Sequence, residues 1–412
     1  MKKEIVAEQG PRRTSARLAG IVADSEVAHN RYEEEAAAQR ELERLKRLRR
    51  SGDFRLADLE GEDEGNMAVM LRELARVPFD REEFEKETKG VRVELRQMRK
   101  QMSEMTLFSK WIPKEITITP ERIYYIGMHP SPTKPLVFAG DKVGNLGIWD
   151  CFGHVEVPEE DEEEGGQLPL VTSYKMHSRT ISQFLFSPTD PTKLYTSSYD
   201  TTIRVLDLPT GVATEVYFPP DESDTEALIS SVQLQPNGNV LLFANFHGEV
   251  GKLDLREPVK GRKTTMYPLH EKKIGGLSVF PGNGEILATS SLDRTTKIWD
   301  LRKITPKSHI FIAEYEASKS ISSSEFNRQG DIVATSYDDT LSVFNNVVSA
   351  DFPIGKSLGT LTPSERILHN NQTGRYVSVF KARWHERPEN GFDKFVVGNM
   401  KRYIDLNGCC RC

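Results

Sequence analysis

One repeated pattern limits what this chain can become. From Leu269 to Arg302 it reads LHEKKIGGLSVFPGNGEILATSSLDRTTKIWDLR. Ile274 to Phe280 alternates loosely, Pro281-Gly282-Asn283-Gly284 is a turn, and Ile286 to Ser290 is a second apolar run. Asp293-Arg294 turns tightly into Thr296-Lys297-Ile298-Trp299-Asp300. Short apolar runs punctuated by turn residues predict a β-meander, here expected as four short strands. Alone, such a unit cannot bury its faces, so it needs neighbours of its own kind.

The neighbours are present. Positions equivalent to Trp299-Asp300 are Trp149-Asp150, Leu206-Asp207, Leu253-Asp254, Phe344-Asn345 and, less clearly, Ile404-Asp405. They fall 45 to 60 residues apart, and the longest steps contain visible insertions. A terminal Trp-Asp at this period is the pattern of a WD-repeat β-propeller, an all-β fold. A second relation supports it: Asp200, Asp293 and Asp338 each lie six residues before the pair, with His177 and His270 upstream of the first two. Asp, His and a strand Ser (Ser197 or Ser198, Ser290 or Ser291) can form a buried hydrogen-bonded network that pins the turn. The same trio could suggest nucleophilic catalysis, but its recurrence at one spacing favours structure over chemistry. No catalytic residue, cofactor or metal site is expected.

Composition narrows the setting. Lys and Arg number 55 against 61 Asp and Glu, a net charge of −6. Residues 1–120 balance at 24 of each sign, and Glu156 to Glu164 (EVPEEDEEE) alone holds seven acids. An acidic total therefore does not forbid a basic face for nucleic acid. The acidic run itself reads as a solvated loop, with a histone contact as the minor reading. No apolar run approaches the roughly 20 residues of a membrane span, and MKKEIVAEQGPRR lacks a signal-peptide core, so no membrane association is expected. Three of the four cysteines, Cys409, Cys410 and Cys412, crowd the last four residues as an atypical tail over 408–412. They fit neither a disulfide framework, a zinc site nor a prenylation ending.

Residues 1–118 carry no strand code and are expected to form a charged, helical, partly disordered arm. Helices are expected from Ser25 to Arg50, Met67 to Arg76 and Glu82 to Met105, with a linker from Asp53 to Asn66. The basic end RLKRLRR reads first as an ordinary solvated helix end, with nuclear localisation or phosphate contact as the minor reading. Leu107, Phe108, Trp111 and Ile112 are expected to dock the arm where the propeller, residues 119–407, begins.

Eight stretches together resemble one family. They are RRTSARLAG (Arg12–Gly20), GDFRLADL (Gly52–Leu59), ITPERIYYIGMHP (Ile118–Pro130), LVFAGDKVGNLGIWD (Leu136–Asp150), MHSRTISQFLFSP (Met176–Pro188), SSYDTTIRVLDL (Ser197–Leu208), LHNNQTGRYVSVFKARW (Leu368–Trp384) and VVGNMKRYIDL (Val396–Leu406). The chain resembles the changed-mutation-rate family of DNA damage-binding WD-repeat proteins, fungal type. More remotely, it is similar to the small subunit of the UV-damaged-DNA-binding complex. The resemblance implies a seven-bladed propeller of which six blades are identifiable here, so a C-terminal truncation is expected. It further implies a nuclear, chromatin-associated protein that binds double- and single-stranded DNA and prefers UV-damaged DNA.

By the same resemblance, a hairpin before Lys381-Ala382-Arg383-Trp384 enters the lesion, and the matching positions are Gly374, Arg375 and Tyr376. The side chains are compatible. Tyr376 can stack in a locally unstacked duplex, and Arg375, Lys381 and Arg383 can neutralise phosphates without reading sequence. Trp299-Asp300-Leu301-Arg302 also fits the Trp-Asp-x-Arg box of WD proteins that dock to the cullin-4 ligase adaptor. An ordinary salt bridge at the propeller rim is the favoured reading of that box. The rival functions are a substrate receptor of that ligase and a protein scaffold that binds no DNA.

Overall fold

The structure, a computed structural model, describes residues 54–55, 108–112, 116–156, 167–219, 227–259, 262–374, 377–386, 393–400 and 404–408. The three expected helices and the cysteine tail lie outside these residues. Among the described residues there are five blades, each built on a four-stranded antiparallel meander, and a sixth, three-stranded sheet. Two blades gain a short fifth strand at the outer edge, one of them Gly359–Thr360, parallel to Phe311–Glu316. The first blade is Ile123–Met128, Leu136–Asp141, Asn145–Glu156 and Gln167–Lys175. The second is Ile181–Phe186, Lys193–Ser198, Ile203–Asp207 and Val212–Tyr217. The third runs Ile229–Leu234, Val240–Asn245, Glu249–Asp254 and Thr265–Pro268. The fourth is Ile274–Val279, Ile286–Ser291, Thr295–Asp300 and Phe311–Glu316. Ile321–Phe326, Ile332–Ser336, Thr340–Phe344 and Glu365–Leu368 make the fifth. The sixth sheet holds Arg383–Trp384, Lys394–Gly398 and Ile404–Gly408.

Two boundaries differ from the sequence reading. Leu269 to Arg302 contains three strands, and the outer fourth lies beyond Arg302 at Phe311–Glu316. The Trp-Asp pair therefore closes the third strand, with Asp300 opposite Ile286, just as Asp150, Asp207 and Asp254 face Leu136, Lys193 and Val240. Ile404-Asp405 breaks that pattern, because it opens its strand instead of closing it. The expected linker also contains a strand: Phe54–Arg55 pairs with Ala213 and Val212 and extends the outer edge of the second blade.

The core is a set of wedges between successive blades. Leu136, Phe138, Leu146 and Ile148 of the first blade pack with Ile181, Phe184 and Leu206 of the second. Corresponding clusters join the second to the third, the third to the fourth, the fourth to the fifth and the fifth to the sixth. The second strand of each complete blade is almost wholly buried, with an apolar first half and small or polar residues toward its end, such as LYTSS and ILATSS. In the first blade, alternation sends Leu136 and Phe138 one way and Val137 and Ala139 the other. Among the described residues, Ile116 and Ile118 pack against the latter pair. Trp111 donates its indole N–H to the Cys151 carbonyl at 3.1 Å, and Phe108 stacks edge-on with Trp149 and Phe152. The segment before the propeller thus uses its aromatic anchors as the sequence suggested.

One turn recurs at the same end of every complete blade, between its second and third strands. The second residue of that turn donates its N–H to the residue preceding or opening the inner strand of its own blade. The pairs are Lys142 to Arg122, Tyr199 to Thr180, Phe246 to Leu228, Leu292 to Lys273 and Tyr337 to Ser320, at 2.9 to 3.1 Å. Two residues later the backbone is left-handed: Gly144 (φ 99°), Thr201 (68°), Arg294 (78°), Asp339 (62°) and Gly248 (83°). Glycine is required at 144 and 248. A Cβ there would stand 2.2 Å from the His177 or His270 carbonyl oxygen of the following blade. That close approach is what seats the two histidines.

Candidate nucleic-acid interface

His270 sits at the centre of a closed network. Its Nδ1 lies 2.7 Å from Asp293 Oδ2, and its Nε2 lies 2.6 Å from Thr289 Oγ1. Trp299 donates its indole N–H to the same threonine oxygen at 2.8 Å. The order of polarity is therefore Trp299 to Thr289 to His270 to Asp293, with the ring proton on Nδ1 as assigned from these partners. Thr295 Oγ1 donates to Asp293 at 2.6 Å. The second blade repeats the arrangement with His177, Asp200, Thr196 and Thr202, where His177 Nδ1 lies 3.0 Å from Asp200 and Nε2 2.9 Å from Thr196.

The histidines thus meet threonines, not the serines expected. Ser197 and Ser290 point to the carbonyls of Gln183 and Gly276 on the inner strands. Ser198 and Ser291 accept the N–H of Asp200 and Asp293, so they brace the turn one step away. Burial alone would raise the Asp200 and Asp293 carboxyls, but the histidine and threonine donors hold both well below the usual carboxylate range. Burial lowers His270 below 6.5 against the pull of Asp293. The hydroxyl facing each histidine is buried and already spoken for, which suits holding a turn in place and not attacking a substrate.

At the same end of the molecule lies the loop that the resemblance singled out. Its first leg is tied to the turn of the fifth blade. Asn371 donates to the carbonyls of Ser336 and Thr340, and Gln372 donates to that of Tyr337 at 2.6 Å. Its second leg is tied across the axis. Ser378 donates to the Ile123 carbonyl of the first blade at 2.7 Å, and Ser322 of the fifth donates to the Phe380 carbonyl. Arg375 and Tyr376, the expected lesion contacts, fall between Gly374 and Val377 and lie outside the described residues.

Lys381 and Arg383 are engaged within the protein. Lys381 Nζ donates to the Gly275 carbonyl at 3.0 Å. Arg383 pairs with Glu325 at 3.1 Å, donates to the Tyr125 hydroxyl and lies 5.3 Å from the centre of the Tyr125 ring. Its side chain is 33% exposed, while that of Glu325 is 10% exposed. Burial would discharge Arg383, but Glu325 and Tyr125 keep it firmly charged. Burial, with the nearby Arg383 charge, pushes Lys381 down to about 8. Arg383 is thus first a clasp between the first, fifth and sixth sheets. Trp384 is buried, donating to the Glu325 carbonyl at 2.8 Å and packing on Phe395. None of this charge arrangement was readable beforehand, since Arg383 and Tyr125 are 258 residues apart.

The sequence reading missed a row of aromatic side chains, Tyr124 on the inner strand of the first blade with Tyr199 and Phe246 at turn tips. The centres of Tyr124 and Tyr199 lie 6.5 Å apart, and those of Tyr199 and Phe246 5.1 Å apart, all edge-to-face. Lys273 reaches over them, 3.7 Å from the centre of Phe246 and 5.5 Å from that of Tyr199. Arg122 lies over Tyr124 at 4.8 Å. The signal was available: Tyr199 and Phe246 occupy one turn position in consecutive repeats.

The rim box is self-contained. Trp299 is buried, and Arg302 grips both oxygens of buried Asp300 at 2.7 and 2.9 Å. Arg256 and Asp254 repeat the pairing one blade earlier. These are rim salt bridges in geometry.

Repeating blades, the Trp-Asp strand ends and the His-Asp turns define a WD-repeat propeller. Consistently, the sequence pattern described as "WD domain, G-beta repeat" matches residues 168–207 and 261–300. The DNA damage-binding protein CMR1 of Phaeosphaeria nodorum is 42% identical over 98% of this chain and 79% of its own length. Its counterpart in Aspergillus oryzae is 39% identical over 96% and 78%, and that in Neurospora crassa 37% over 98% and 81%. The chain belongs to the family of these fungal DNA damage-binding proteins. A crystal structure of Saccharomyces cerevisiae Sqt1 is similar at a TM-score of 0.49 and 16% identity, covering 70% of this chain and 72% of that one.

Proposed function

We propose that this chain binds damaged DNA in the nucleus, as a recognition protein and not as a catalyst. The observation that carries the reading is 42% identity, over 98% of the chain, to a relative named for binding damaged DNA. The loop at the turn end supports it: both legs are anchored by hydrogen bonds, and Arg375 and Tyr376 lie between them in the chain. Damage recognition of this kind needs a wedge where stacking is weakened and cations that contact phosphates. Lys381 supplies a charge beside that loop, and Arg383 positions its second leg. Selectivity then follows from how readily the duplex deforms, with UV photoproducts as the lesion class.

The test is fluorescence anisotropy on a labelled duplex, irradiated or not, over a salt series. The wild-type protein should prefer the irradiated duplex and lose affinity steadily as salt rises. The double variant Arg375→Glu/Lys381→Glu should bind the irradiated duplex about a hundredfold more weakly, since two charges are reversed. Equal binding by that variant would overturn the assignment of the loop. No preference for irradiated DNA by the wild type would overturn the function.

A further inference from the structure

We propose that Tyr199, Phe246, Lys273 and Lys381 form a second contact on the same face, taking one unpaired nucleotide. In this contact the two ammonium groups hold the phosphate and the rings pack against the base. It rests on the DNA-binding reading and adds a substrate element to it: single-stranded or extruded DNA beside the lesion loop.

Three observations meet here. First, the Lys273 ammonium has no carboxylate partner and no hydrogen bond among the described residues; it is held by two ring faces. Second, a like charge lies nearby. Lys381 bonds to the carbonyl of Gly275, two residues beyond Lys273, and the Lys273 charge makes that of Lys381 harder to keep. Burial pushes Lys273 down to about 8. The charged groups around the pair are Arg383, which adds to the repulsion, and Glu325, whose carboxylate Arg383 occupies. Two neighbouring cations with one carboxylate already committed make a site for an anion. Third, the rings of Tyr199 and Phe246 are half-buried at turn tips, directly beside the Lys273 ammonium. A phosphate with an attached aromatic base satisfies both parts, and base–aromatic contact tolerates any sequence.

The test uses the full chain and a labelled twelve-residue oligothymidine, alongside an intact duplex. Lys273→Gln and Phe246→Leu should each weaken oligothymidine binding about tenfold, the scale of one stacking or charge contact. The same variants should leave intact-duplex binding within about twofold, and Lys273→Gln should flatten the salt dependence by about one counterion. Lys273→Arg should restore binding. In the wild-type protein, long-wave photocrosslinking of an iododeoxyuridine oligonucleotide should attach to Tyr199 or Phe246, which needs no substitution to fold. Crosslinks confined to residues 371–380, or unchanged oligothymidine affinity in the variants, would overturn this contact while leaving damage recognition in place. Full displacement of the oligonucleotide by pyrophosphate at matched ionic strength would show a free-phosphate site and overturn the base contact. A wild-type protein that binds no DNA would overturn both readings.

Discussion

His270 and Lys273 stand three residues apart in one loop, and their surroundings are opposite. Every polar atom of the His270 ring has a partner, and that of Asp293 beyond it is shared with Thr295. The Lys273 ammonium lies over two rings with no anion to match it among the described residues. A closed polar network contributes stability because no buried donor or acceptor is wasted. An open cation contributes little and costs desolvation, so its use lies in what it can bind. The same loop therefore holds the blade together with one side chain and faces a ligand with another.

The contrast can be broken by substitution. Asp293→Ala strands the His270 N–H and the Thr295 hydroxyl, and should cost about 3 kcal/mol. Lys273→Gln should change stability by less than about 0.5 kcal/mol. Urea unfolding reads both, and similar losses for the two variants would erase the distinction. The axial clasp sharpens it. Arg383→Ala leaves Glu325 buried and unpaired and should cost about 3 kcal/mol. Adding Glu325→Gln should recover a good part of that, and a purely additive double variant would mean the pair is not coupled.

The smallest effect is on pH. Asp200 and Asp293 titrate lower in the folded state than their ordinary 3.8, so their contribution is complete above about pH 4 and drains away as pH falls through the folded values. His270 is also held below its ordinary 6.5. The unfolded chain then takes up that proton first, so stability should already decline gently as pH drops below about 6.5. Thermal melting between pH 7.5 and 4.5 should show this slope, and its first part should vanish in His270→Gln. A flat profile in the wild type would contradict the closed network.

Much of this architecture was legible in the chain. The period of Trp-Asp pairs located the third strand of each complete blade, because that position must lie opposite the start of the second strand. His177, Asp200, His270 and Asp293 were recognisable because all four repeat at fixed offsets. The threonine partners were missed because a strand offers several hydroxyls, and Ser197, Ser198, Ser290 and Ser291 all found other bonds. Phe54–Arg55 was hidden because a two-residue strand carries no period of its own. The engagement of Arg383 was invisible for another reason. Its partners Glu325 and Tyr125 belong to different blades, and nothing local to Lys381-Ala382-Arg383 points to them.

The bonds from Ser378 to Ile123 and from Arg383 to Tyr125 join residues 255 and 258 apart. During synthesis the first member of each pair leaves the ribosome long before the second exists. The loop between the fifth and sixth sheets therefore acquires its footing only after five blades have been made, so a nascent chain carrying its early repeats lacks that closure.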